Sequence, residues 1–393
     1  MLGFIAKFNF FKDLKKDYFL YGLLLFLISF FVLPTSKMVN NVYYVFLAIP
    51  AIFYFLYSRF SDFKISCISI AWLLFFTVLI LSGFLGDATF QYYKHVLYVF
   101  LFFLICSFFI RGDLLFNNKF YKVSFWIVTG YVICSAIIYW ITGVYGFGER
   151  IISLPARMSG PIYTSMLISA LFSISLPVWM KQKNYKELLV ALLLSLFCMS
   201  FVLQSRTGLV SLFAVAFIYF SYQIYLSKGP AYIILFSLLL GSLFGFVYFF
   251  SDTIPIIDNL ISRADSGRFE LWFLLLDDFS KCSQVFGCGP SFETEQLIQG
   301  QYRIAHPHNI FLSLLLYTGL LSLLCFVLIC LLTLYLSYIN KTYWGLYLVS
   351  SLIALNFDGS HLVGNPEELW ILVYLPLFMI ILKSHQTKSM AES

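Results

Sequence analysis

Residues 318–338 read TGLLSLLCFVLICLLTLYLSY, 21 residues without a charge. An α-helix needs roughly 20 such residues to cross the hydrocarbon core of a bilayer. Comparable apolar runs recur at about 18–34, 43–57, 66–83, 95–110, 123–141, 162–180, 188–203, 208–226, 231–250, 343–357 and 369–382, making twelve with the first. In lipid, backbone N–H and C=O groups must find partners within the protein, so only helices and closed barrels span. These runs are long and continuous, whereas barrel strands are short and alternate. The expected fold class is therefore an all-α polytopic membrane protein with about twelve transmembrane helices. None of the runs holds a charge near its centre.

Composition agrees with this class. Of 393 residues, 61% are apolar, 20% aromatic and 11% charged, against roughly 25% charged in soluble domains. Phe occurs 46 times, more often than the 25 basic and 19 acidic residues together. A water-soluble enzyme is excluded, and so is a disordered chain, which needs the opposite composition. Nucleic acid is not an expected partner, because 25 scattered Lys and Arg make no dense basic face.

Charge orients the spans. An even number places both termini on one side, and cytoplasmic loops carry the excess of Lys and Arg. With the termini cytoplasmic, the inner segments hold Lys7, Lys12, Lys15, Lys16, Arg59, Lys64, Arg111, Lys119, Lys122, Lys181, Lys183, Lys186, Lys228, Lys341, Lys383 and Lys388. Every inner loop then has at least one. Lys12, Lys15 and Lys16 follow the apolar residues 2–11 instead of preceding them, so no cleavable signal peptide is expected there. The first ten residues would lie along the inner surface as an interfacial anchor.

One outer segment, residues 251–307, is far longer than the others. Loops beyond about 12–15 residues are usually functional. The organisation expected is a first block of nine spans (1–250), a large outer loop (251–307) and a last block of three (308–393). Within the loop, RFELWFLLLDDF (268–279) sets Phe269, Trp272, Phe273 and Leu276 on one helical face, as a short amphipathic helix lying on the membrane would. Six of the eight Cys sit in or beside apolar runs as small hydrophobes. Cys282 and Cys288 share the outer loop and would bridge in an oxidising compartment. Two thiols and two histidines lie there, but their spacing fits no zinc pattern, so neither a metal nor another cofactor is expected.

Three outer features carry chemistry: Gln204-Ser205-Arg206-Thr207-Gly208 between two spans, Asp265-Ser266-Gly267-Arg268 opening the loop helix, and His306-Pro307-His308-Asn309 before the tenth run. Each has a plain structural reading. Arg206 would snorkel to lipid phosphates, Arg268 would pair with Asp265 or Asp277, and the His308 ring would bond loop backbone. Together they point elsewhere. Arginine grips phosphate oxygens in a bidentate fork, cations stabilise a departing diphosphate, and a neutral histidine takes a proton from an attacking hydroxyl. Arg150, Arg157 and Arg303 are further candidates for contacting glycan or diphosphate. Glu367, Glu368 and His361 are expected on a solvated loop face, with sugar hydroxyls as the other reading.

At these residues the sequence resembles the O-antigen ligase and polymerase family of bacterial envelope enzymes. The S-R-T-G at 205–208, the S-G-R-x-x-x-W at 266–272 with G-C-G-P at 287–290, and the H-P-H-N-x9-G at 306–319 follow the family's order. Ser322 departs from it, standing where a second glycine is common nearby. The resemblance implies a GT-C-like membrane glycosyltransferase with a periplasmic active site, in the bacterial inner membrane. Its donor would be a glycan on undecaprenyl diphosphate. The acceptor would be a sugar hydroxyl of lipid A–core for a ligase, or of a lipid-linked repeat unit for a polymerase. The transfer would be inverting and metal-independent, with Arg206 and Arg268 on the diphosphate and His308 as base or orienting residue. Asn309 and Gly319 would shape the helix start. A transporter or flippase for a lipid-linked sugar is the competing class; it would show polar, broken helices at the membrane midplane.

Overall fold

Eleven of the twelve apolar runs are helices in the computed structural model. It describes residues 2–58, 66–226, 267–298, 302–304 and 306–391, with isolated positions between 227 and 266; for residues 2–16 only the helical backbone is described. The run at 231–250 and the first part of the outer loop fall outside the described residues. In chain order the helices are α1 (Leu2–Val32), α2 (Ser36–Tyr57), α3 (Cys67–Leu85), α4 (Phe90–Phe109), α5 (Asn118–Thr142), α6 (Pro161–Lys181), α7 (Tyr185–Val202), α8 (Arg206–Tyr225), α9 (Arg268–Ser280), α10 (Ile310–Ile339), α11 (Trp344–Leu355) and α12 (Trp370–Thr387). Among the described residues, nine helices are long and apolar enough to cross a membrane, and Asp17–Val32 and α11 are shorter apolar helices. The described residues are nearly all helical, and the chain is an all-α polytopic membrane protein.

Helix ends in such a setting leave N–H groups that lipid cannot satisfy. Side chains supply the partners: Ser66 accepts from Ser69 N, Asn117 from Lys119 N, Asn184 from Glu187 N, and Asn309 from both Phe311 N and Leu312 N. Pro161 opens α6 at the position where a missing N–H costs nothing.

Helix α6 is the axis of the bundle. Every residue from Thr164 to Met180 is buried, as expected of a helix apolar on all sides. It packs on α5, α7, α8 and α11. Serines allow close approach and then bond across it: Ser169 Oγ lies 3.1 Å from both Ser211 Oγ and Ser350 Oγ, and Ser211 Oγ lies 2.7 Å from Ser350 Oγ. A second, aromatic core forms where α12 meets α3 and α4. Trp72 and Phe378 rings lie 5.0 Å apart, and Phe102 and Trp370 rings 4.9 Å.

Helix α9 rests on the first turns of α10. Leu271 and Leu275 of α9 are buried against Leu312, Leu316 and Tyr317, while Phe269 and Phe273 are exposed. Cys282 and Cys288 form a disulfide, and a two-stranded hairpin, β1 (Leu297–Ile298) with β2 (Tyr302–Arg303), follows. Helix α10 starts at Ile310, eight residues before the apolar run expected from 318, because Asn309 caps it and its first turns pack on α9. The expected start coincides with a break. Gly319 has φ 84 and ψ 175 inside the helix, a region essentially restricted to glycine. The 283–287 turn docks there, with Leu320 N donating to Gln284 O at 2.9 Å and Cys288 N to Leu316 O at 2.8 Å.

Candidate functional site

Asp358 follows α11 at the head of an irregular loop, and only 5% of its surface is exposed. Gly359 allows the approach: a Cβ there would lie 2.5 Å from Ile310 N, at the start of α10. Asp358 thereby meets the residue pair just before α10. His308 Nδ1 donates to Asp358 Oδ1 at 2.6 Å, since an ionised carboxylate can only accept. The other carboxylate oxygen, Oδ2, faces Arg268 Nη2 at 3.8 Å. One buried carboxylate thus joins Arg268 from the outer segment to His308 from the head of α10.

Local backbone serves this arrangement. His308 adopts a left-handed φ of 52, uncommon for a side-chain-bearing residue and held here by its surroundings. Trp272 Nε1 donates to Pro307 O at 3.0 Å, fixing α9 to the histidine turn. The His306 and His308 rings are 4.0 Å apart. Burial first, then the neighbouring His308, lower the pKa of His306, against the opposing pull of Asp358. With His308 Nδ1 on Asp358, its Nε2 carries the lone pair that accepts a proton. His306, His308 and Asp358 each offer a ligand atom, all within 4.8 Å of one another, so the same group has the donor set for a divalent cation.

The Arg206 turn is built from a different set of contacts. Ser205 Oγ and Ser165 Oγ lie 2.6 Å apart, and a Cβ on Gly208 would come within 2.8 Å of Ser165. The short S-R-T-G segment therefore exists to seat α8 against α6, leaving Arg206 half-buried at the first position of α8. Arg150 Nε donates to Leu203 O at 3.2 Å, and Gln204 Nε2 to Gly148 O at 3.0 Å, bracing the turn from the loop before α6. The start of α6 touches both groups: Ser165 holds Ser205, and Tyr163 OH donates to Ser360 Oγ at 3.4 Å, two residues beyond Asp358.

Other expected residues take other places. Arg157 pairs with Glu368, which is 4% exposed, so the expectation of a solvated loop face fails for Glu368: the loop folds into the bundle, and an arginine balances the charge. Arg268 pairs with Asp358 and not with Asp277, which Lys281 holds at 2.6 Å within α9. The His308 ring bonds a carboxylate and not loop backbone. Arg303 lies in β2 opposite Leu297. Asn309 caps α10, and Gly319 receives the 283–287 turn. Asp358 is the residue that sequence reasoning missed. Its signal was an acid set directly at the end of an apolar run and followed by glycine.

The fold and this cluster define a multi-pass membrane protein with a polar site built at helix ends. Residues 189–327, about a third of the chain, match the family model described as O-antigen ligase. Over that segment the chain is similar to O-antigen ligases, a family of membrane glycosyltransferase-like enzymes that act on lipid-linked glycans. No curated protein matches the chain.

Proposed function

We propose that the protein is an O-antigen ligase, transferring a glycan from undecaprenyl diphosphate to a sugar hydroxyl of lipid A–core. In this reading it sits in the bacterial inner membrane with both termini cytoplasmic, and residues 251–307 and the site face the periplasm. The positive-inside distribution of Lys and Arg supports that orientation. The observation that carries the chemistry is the His308–Asp358–Arg268 group, in which a buried carboxylate fixes both a proton acceptor and a cation.

The acceptor oxygen attacks the anomeric carbon on the face opposite the diphosphate, so configuration inverts. Its proton passes to His308 Nε2 while Asp358 holds Nδ1 and stabilises the imidazolium that forms. The bond from the anomeric carbon to the phosphate oxygen breaks, and the diphosphate leaves with the electron pair. Arg268 and Arg206 stabilise that charge by donors fixed in advance, the largest single contribution in sites of this kind. No metal takes part in this reading, because two arginines carry the leaving-group charge. Arg150 and Arg157 support the site from behind. A repeat-unit polymerase would use the same residues on a different acceptor.

The test uses purified protein with lipid-linked donor and either rough lipopolysaccharide or a lipid-linked repeat unit as acceptor. Arg206→Ala and Arg268→Ala should each abolish most transfer at unchanged protein level, with lysine rescuing partly because it lacks the planar fork. Full transfer by both alanine variants would remove the donor site. Transfer to the repeat unit alone would make the protein a polymerase.

A further inference from the structure

Beside the histidine cluster lies a cavity that the reaction above does not use, its wall mostly apolar with polar groups set into it. It holds about 430 Å³ between the start of α4, the first turns of α10, the turn at Pro290 and the loop 360–367. That is within the roughly 300–1,000 Å³ of small-molecule sites. Gln91, Ser291, Ser360, His361 and Glu367 turn hydrogen-bonding groups toward it, and Tyr317 gives it an aromatic wall. Among the described residues no lysine or arginine lines it, and those residues suit an anion such as diphosphate poorly. A neutral polyhydroxyl ligand is what it fits: hydroxyls meet the carboxyl, amide and imidazole groups, and a C–H face meets Tyr317.

Two further observations place it at the chemistry. The Tyr317 and His361 rings lie 4.2 Å apart on the wall shared with a second, larger cavity of about 920 Å³. His361 also lies within the electrostatic reach of His306, the neighbour of His308: burial first, and then His306, lower its pKa to about 4. It is thus a neutral hydrogen-bonding ring at ordinary pH, open to both cavities. Glu367 stands in this wall, and among the described residues its carboxyl accepts no hydrogen bond; Glu368 and Arg157 act on it through charge alone. Its oxygens are therefore available to accept from a ligand in the cavity.

We propose that this cavity is the acceptor subsite: it seats the terminal sugar ring of the acceptor, with Glu367 bonding its hydroxyls and Tyr317 against its face, so that the reacting hydroxyl lies beside His308. The inference rests on the glycosyl-transfer reading and names the part of the acceptor that reading leaves open.

The full-length protein in detergent micelles is titrated with glucose, galactose and N-acetylglucosamine, followed by saturation-transfer NMR. At least one sugar should bind, and Glu367→Leu, which keeps the bulk but removes the hydrogen bonds, should weaken it about tenfold or more, the scale of one lost hydrogen bond. Ser291→Trp, filling the cavity from the opposite wall, should do the same, and either variant alone carries the test. Arg268→Ala should bind the sugar as the wild type does. In the transfer assay both cavity variants should raise the acceptor KM about tenfold while the donor KM stays unchanged. Wild-type binding of no sugar, or equal binding by wild type and both cavity variants, overturns the subsite. No transfer by the wild type to either acceptor overturns the glycosyl-transfer reading instead and leaves the sugar-binding result standing.

Discussion

Replacing Asp358 by Asn keeps the shape of the side chain and removes its charge. The structure sets the size of the effect. Asp358 accepts one charge-assisted bond at 2.6 Å, from His308, and its surface is 5% exposed, so solvent screens it little. A bond to a charged group contributes about 1.5–3 kcal/mol. If all of it acts on the imidazolium of the transition state, kcat falls roughly 10- to 150-fold. An amide can also donate to Nδ1, which would place the ring proton on Nε2 and remove the base; Asp358→Asn should therefore sit at the upper end. Arg268 loses a partner only 3.8 Å away and becomes freer to meet diphosphate, so the donor KM should stay level or fall. The assay is steady-state transfer by purified protein over a range of donor concentrations, with thermal unfolding as the control for folding. Wild-type kcat in a folded Asp358→Asn variant would refute the base-positioning role, and a rise in donor KM at constant kcat would move Asp358 to the donor site.

Gly319→Ala should destabilise strongly, by about 1–3 kcal/mol from the backbone conformation alone, and by more because the new Cβ would meet Val285 O; thermal unfolding or loss of expression reads it. Burial first, and then Glu368, raise the Glu367 pKa to about 7, against Arg157. A raised carboxyl pKa means the folded state holds a proton that the unfolded state gives up, so stability falls as pH rises from the unfolded value, about 4.3, through about 7. Glu367→Gln should accordingly unfold at a higher temperature than wild type at pH 8 and at the same temperature at pH 4. Chelation by EDTA should leave transfer unchanged, whereas abolition restored by a divalent cation would hand His306, His308 and Asp358 to a metal. On a background without native cysteines, a Cys at position 283 should react with a membrane-impermeant reagent in cells with a permeabilised outer envelope, and a Cys at position 389 should not; the reverse would invert the topology.

The spans were legible because apolar length is a one-dimensional signal, and among the described residues each expected run lies on a helix. Their irregularities were not. The π-helical turns at Cys198–Val202 and Trp370–Tyr374 leave no trace in a sequence apolar on every face, and the Gly319 break is visible only once the 283–287 turn is seen against it. In the site, His308 and Arg268 stood out as polar residues outside the membrane runs, and the structure brings them to one carboxylate. Asp358 did not stand out, because the contact joins residues 50 apart and depends on Gly359 having no side chain. Glu368 looked like loop surface for the same reason: its partner Arg157 lies 211 positions earlier, a contact that no local pattern records.

The division of the site along the chain has a consequence for its biosynthesis. Arg206, Arg268 and His308 all fall within residues 189–327, but the carboxylate that orients His308 arrives 50 residues later, after α11. A nascent chain that has emerged only as far as α10 carries the arginines and the imidazole with nothing to fix the ring. The unit becomes competent when the ribosome has delivered the penultimate loop and that loop has closed over Ile310. On the proposed reading, completion of the last hairpin would be the event that arms the site.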